Sequence, residues 1–128
     1  MEMYRKHILD HAKNPRFPGV LDPCDIEHEQ LNPLCGDFLH MTLLLDENNH
    51  ISEIAWNGEG CAVSQASASL LSAHVVGMSI DSILMLTEDD ILSLLNIPLT
   101  PNRMKCAMLA LNTLKNGIVS YLNNEGDG

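Results

Sequence analysis

The chain has 128 residues and a mass of 14.1 kDa, with 45% hydrophobic residues, which suits one domain over 1–128 with an ordinary core. Seventeen Asp and Glu against seven Lys and Arg leave a net charge of −10 and an isoelectric point near 4.7, which argues against nucleic acid and anionic membranes as partners. Charges enter early at the N-terminus and no apolar run is long enough to span a bilayer, so a cytoplasmic protein with reduced thiols is expected.

The first predicted element is a helix, because Tyr4, Ile8 and Ala12 recur four residues apart until Asn14-Pro15 stops the pattern. Pro18, Gly19 and Pro23 mark an irregular connection. Asp25 to Leu31 alternates weakly, as an edge strand does. Phe38 to Leu45 alternates more firmly, with Leu39, Met41, Leu43 and Leu45 on one face, and Ile51 to Asn57 returns after the turn chemistry of Asp46-Glu47-Asn48-Asn49. Ala62 to Val76 is rich in Ala, Ser and Leu and reads as a helix ended by Gly77. Thr87, with Asp90 three residues on, opens a short helix through Leu95. Thr100-Pro101 starts the last helix, whose Met104, Ala107, Leu111, Leu114, Ile118 and Tyr121 form one stripe. Asn123 to Gly128 is expected as a loose tail. The fold class is α+β: a small three-stranded antiparallel sheet packed against helices in two layers.

Cys35 sits in Asn32-Pro33-Leu34-Cys35-Gly36-Asp37, at a turn between two strands. Cys61 follows 26 residues later, after Gly58-Glu59-Gly60, and Cys106 another 45 residues on, in the first two turns of the last helix. All three fall at ends of elements, where loops converge, and Asp37 adds a carboxylate two residues from Cys35. Three thiolates and a carboxylate fit tetrahedral zinc, and the same set suits a [2Fe–2S] cluster. The harder carboxylate would hold such a cluster less firmly than a fourth thiolate, as a protein that gives its cluster away requires. Two disulfides, or scattered buried cysteines, are the alternative readings. Lys105 beside Cys106 reads either as a cation supporting a thiolate or persulfide, or as a solvated lysine. His7 and His11 stand i, i+4 on the first helix. Without an H-E-x-x-H motif, one of the two side chains pairing with Asp10 or solvent is expected. His28, His40, His50 and His74 read as surface or capping residues. The serines of 64–72 read as small residues that let the helix pack closely, and Cys24 has no assigned role.

The three cysteine segments, Asn32 to Asp37, Gly58 to Ser69 and Arg103 to Ala110, resemble the motifs of the IscU/SufU/NifU N-terminal family. The opening Tyr4, Ile8, Asp10-His11, Asn14-Pro15-Arg16 and Gly19 is similar to that family's N-terminal signature. The resemblance runs from Tyr4 to about Tyr121. It implies an iron–sulfur cluster assembly scaffold rather than an enzyme. Sulfur would come from a PLP-dependent cysteine desulfurase, and a labile [2Fe–2S] cluster or iron would pass to apo iron–sulfur proteins or carriers. It further implies a site at Cys35, Asp37, Cys61 and Cys106, with zinc as an alternative occupant and Cys35 as the candidate sulfur acceptor. The chain would be a monomer or small homo-oligomer. Ile97-Pro98-Leu99-Thr100-Pro101 and Lys105 differ from the Leu-Pro-Pro-Val-Lys segment and histidine of the IscU branch. Lys105-Cys106-Ala107 is similar to the SufU branch, although the 45-residue spacing leaves no room for the SufU insertion. A zinc-dependent sulfurtransferase is the second reading.

Overall fold

The computed structural model describes residues 2–32 and 36–127. In chain order the elements are α1 (Glu2–Lys13), β1 (Ile26–Asn32), β2 (Asp37–Leu45), β3 (Ile51–Glu59), α2 (Ala62–Val75), α3 (Ile80–Leu84), α4 (Glu88–Leu95) and α5 (Pro101–Asp127). The strands form one antiparallel sheet in the order β1-β2-β3, with Ile26 opposite Leu43, Met41 opposite Trp56 and Asn32 opposite Asp37. The α+β class read from the sequence holds.

The period-2 pattern of β2 is realised as burial. Leu39, Met41 and Leu43 are within 2% of full burial, and with Ile26, Ile54 and Trp56 they make the sheet's inner face. Leu45 is only partly buried, because the β2–β3 register shifts between Leu44 and Leu45. Helix α2 packs on β3 and α5 packs on β1 and β2, while α1 lies on α2.

Helix α2 is buried on nearly every side, so it carries no single apolar stripe. Its small residues Ala66, Ser67, Ala68, Ser69 and Ser72 are what let α1, α4, α5 and the sheet approach it together. Helix α5 shows the expected stripe, with Ala107, Leu111, Leu114 and Ile118 at most 1% exposed. At Gly117 a Cβ would stand 2.9 Å from His28 Cβ, so glycine there lets α5 cross β1 closely. The helix continues to Asp127, over the residues read as a tail from Asn123.

The Thr87–Asp90 capping box is present, with the Asp90 carboxylate accepting from the Thr87 backbone N–H at 2.7 Å. Helix α3 was not expected. Its five residues are held by Ser79, whose Oγ accepts from Ser82 N at 3.2 Å, and by the buried Ile80 and Ile83. No helix among the described residues is long and apolar enough to cross a membrane.

Candidate metal centre

One end of the sheet meets the first turns of α2 and α5. Asp37 is the first residue of β2, Cys61 is the N-cap residue of α2, and Cys106 lies in the second turn of α5. One ligand atom from each, the Asp37 carboxylate oxygen and the two sulfurs, all lie within 4.8 Å of one another. Cys106 is buried, Asp37 is 3% exposed and Cys61 is half-buried. Cys35, the fourth residue of the set, lies outside the described residues, as do Pro33 and Leu34. The chain on either side is anchored: Gly36 N donates to Asn32 O at 2.8 Å, which closes the turn between β1 and β2.

The Asp37 carboxylate accepts from Cys61 N at 3.3 Å, and the Cys61 thiol lies 3.8 Å from its other oxygen. Both contacts are long, and none of the ion pairs between described residues involves Asp37. A buried carboxylate is costly unless a cation or strong donors meet it, and a metal ion beside the two thiols would supply that charge. Two sulfurs and one oxygen converging from three elements are the donors that zinc or thiolate-bound iron takes, so this donor set fits a soft or borderline metal.

Local packing explains how the donors are held. Gly60 passes directly over Asp37, so a Cβ built there would lie 2.7 Å from Asp37 Cγ and 2.5 Å from Ser64 Oγ. Any side chain at 60 would displace the carboxylate. Cys61 O accepts from Ser64 Oγ at 3.0 Å and from Gln65 N at 3.1 Å, which starts α2 at that residue. Ser67 Oγ donates to Ala107 O at 2.6 Å, a buried bond that joins α2 to α5 beside Cys106. The sequence marks Ser67 only as a small residue; its partner is 40 positions away, so no local signal identifies the bond.

The N-terminal signature is a clamp rather than a ligand cluster. Of the pair, His7 is exposed to solvent as expected of one of them, whereas His11 is 8% exposed and its Nδ1 lies 2.7 Å from Ser69 Oγ. Ser69 Oγ also accepts from Arg16 N at 2.9 Å, so this one hydroxyl ties the 14–16 turn and His11 to α2. Asp10 pairs instead with Arg16 at 2.8 Å, and the Arg16 hydrogen bond, with that of Asn14, holds its carboxyl below the usual range. Trp56 Nε1 donates to Arg16 O at 2.8 Å, tying the same turn to β3. Burial, reinforced by the charge of Arg16, pushes the His11 pKa down.

The remaining histidines stand apart from the centre: His40 pairs with Glu27 at 2.8 Å across β1 and β2, and His74 is exposed. Lys105 is exposed and borders a groove between α5 and β1. Cys24 is half-buried in the 14–25 connection. Its burial and the charges of Glu27, Asp22 and Asp25 push its thiol pKa up, which disfavours a thiolate there.

The family model described as NifU-like N terminal domain matches residues 3–127. The chain is 33% identical to the zinc-dependent sulfurtransferase SufU of Bacillus subtilis, over 91% of this chain and 89% of that one. It is 36% identical to the iron-sulfur cluster assembly scaffold protein IscU of Aquifex aeolicus, over 96% of this chain and 78% of that one. The crystal structure of a nitrogen-fixing NifU-like protein (N-terminal) from Brucella abortus superimposes with a TM-score of 0.74 at 22% identity, covering 95% of this chain and 96% of that one, which is a likeness of fold. A match over nearly the whole chain, on the fold and the clustered donors described above, makes this protein a member of the NifU-like N-terminal domain family.

Proposed function

We propose that the chain is an iron–sulfur cluster assembly scaffold: it receives sulfur from a PLP-dependent cysteine desulfurase, builds a labile [2Fe–2S] cluster and passes it to apoproteins. The observation that carries this reading is the convergence of Asp37, Cys61 and Cys106 within 4.8 Å at one end of the sheet. Cys35, two residues before Asp37, is the proposed fourth ligand and first sulfur acceptor. Its thiolate would attack the terminal sulfur of the desulfurase persulfide, forming an S–S bond and releasing the desulfurase thiolate. An external reductant then supplies the two electrons that take this sulfur to sulfide. Lys105, adjoining Cys106, is proposed to steady the anionic sulfur.

Asp37 is the proposed release point. A carboxylate leaves soft iron more readily than a thiolate does, which opens a coordination position to an acceptor's cysteine. The cluster is cargo, and the chain's own contribution is to hold the donors and keep the centre partly dry.

The second reading, a zinc-dependent sulfurtransferase, is favoured by the similarity to SufU. There Cys35, Asp37, Cys61 and Cys106 would hold zinc, which would bind and activate a thiolate. Anaerobic incubation with a desulfurase, cysteine, ferrous iron and dithiothreitol separates the two. The scaffold reading expects iron and acid-labile sulfide on the chain in equal amounts, both lost to an added apo-ferredoxin. Sulfur transfer that requires zinc and leaves no iron-bound sulfide would overturn it.

A further inference from the structure

The sheet has two edges and they are treated differently. At β3, Trp56 N donates to Phe17 O and Gly19 N donates to Trp56 O, both at 2.9 Å, while Ile51 N donates to Met78 O at 2.9 Å and Ile51 O accepts from Gly77 N at 2.8 Å. Two connecting segments thus cover that edge. At β1, the only strand paired among the described residues is β2. A strand edge left open offers a row of backbone donors and acceptors to another extended chain.

The surroundings of this edge select what can lie on it. Glu27, Glu29 and Leu31 alternate along β1 and are exposed, Leu31 at 59%. Beside the end of β1 a groove of about 460 Å³ runs along α5; Leu31, Met104, Met108 and Leu109 line it together with polar residues that include Glu88 and Lys105. An added strand would set alternate, apolar side chains against Leu31, Met104, Met108 and Leu109, away from Lys105, and the others beside Glu27 and Glu29. Glu27 already holds His40, and Glu29 has no ion-pair partner among the described residues. A second copy of this chain is a poor occupant, since pairing β1 with itself opposes glutamate to glutamate on chains of net charge −10.

The groove also has a direction. Asn32 is the cross-strand partner of Asp37, and Leu109, which lines the groove, stands three residues after Cys106 on the same side of α5. One end of a bound segment therefore reaches the metal centre.

We propose that the open edge of β1 receives an extended segment of a partner polypeptide in which Lys or Arg alternates with apolar residues, docked by strand addition with one end at the Asp37–Cys106 centre. That such a segment would carry a sulfur-donating or cluster-accepting cysteine rests on the scaffold reading; the docking itself does not.

The test uses the full metal-free chain and end-blocked seven-residue probe peptides, with binding read by fluorescence anisotropy at physiological salt. A peptide alternating Lys and Val should bind, and one alternating Glu and Val should bind at least tenfold more weakly. Two isomers of the Lys-Val peptide, N-methylated on opposite edges, separate strand addition from charge attraction. One should keep its binding and the other should lose at least tenfold. Glu29→Lys should weaken the parent peptide about tenfold, and Leu31→Ser, which removes apolar contact in the groove without changing charge, should weaken it as well. Absence of binding at millimolar peptide, equal binding of the two N-methylated isomers, or an edge-dependent dimer of the chain dispersed by Leu31→Ser would overturn the proposal. None of these readouts involves metal or sulfur, so their failure leaves the scaffold reading intact, and failed cluster assembly leaves this one intact.

Discussion

Replacing Ser67 with alanine removes one buried hydroxyl that spans the two helices carrying Cys61 and Cys106. The bond to Ala107 O is 2.6 Å long, Ser67 is 2% exposed and Ala107 is fully buried. Ala107 lies inside α5, so its carbonyl keeps its helical partner and the substitution orphans no group. The cost therefore stays near the net value of a single hydrogen bond, about 1 kcal/mol, rather than the larger penalty of a stranded polar atom. For a chain of this size that lowers Tm by about 3–5 °C. Were the whole of it coupled to donor spacing, zinc affinity would fall about fivefold, the ceiling for 1 kcal/mol. Ser72 supplies the control: it is a fully buried serine on the same helix, and its Oγ has no hydrogen-bond partner among the described residues. Ser72→Ala should be neutral or slightly stabilising, because it removes a hydroxyl desolvated without return. Urea and thermal unfolding of the metal-free variants, followed by zinc titration against a chromogenic chelator, give the comparison. Equal costs for the two substitutions, or a larger one for Ser72→Ala, would refute the reasoning.

Gly60→Ala should lower zinc affinity at least tenfold, since the new Cβ meets Asp37 at 2.7 Å, and Ser64→Ala in the same chain should not restore it because the Asp37 contact remains. Wild-type zinc affinity in both variants would contradict the packing described. The lowered pKa of His11 makes the folded chain bind fewer protons than the unfolded one, so stability should fall as pH drops below the ordinary value of 6.5 and level off once the folded ring also titrates. His11→Asn, whose side-chain amide can take the Nδ1 position, should flatten that slope in urea titrations between pH 7.5 and 5, and an unchanged slope would remove His11 as its source. Cys24→Ser should leave the zinc stoichiometry unchanged, and loss of an equivalent in metal analysis would place Cys24 in the centre.

Much of this fold is written locally. The alternation of Leu39, Met41 and Leu43, the Thr87–Asp90 cap and the stripe from Ala107 to Ile118 depend on neighbours within one or two turns, and each element formed where its pattern lay. The clustering of Asp37, Cys61 and Cys106 was legible because all three stand at ends of elements, and the family resemblance put them in one set. What stayed hidden depends on distant partners. His11 reads as an exposed helix residue until Ser69, 58 positions on, is packed against it, and nothing near Gly60 in sequence announces the carboxylate beneath it. Helix α3 is too short to show a period, and Ser79 is the only mark of its start. The difference between the two sheet edges likewise arises from segments 17–19 and 77–80 folding back on β3, which strand patterns alone do not encode.

The central claim, that Asp37 and the thiols of Cys61 and Cys106 join Cys35 around a single metal, is tested most directly by zinc K-edge X-ray absorption of the chain loaded with one equivalent of zinc. The expected first shell is three sulfurs at about 2.3 Å and one oxygen at about 2.0 Å. Asp37→Ala should keep the three sulfurs and replace the oxygen with an exogenous ligand, and Cys106→Ser should reduce the sulfur count to two. A shell made only of nitrogen and oxygen, or a sulfur count unmoved by Cys106→Ser, would contradict the account.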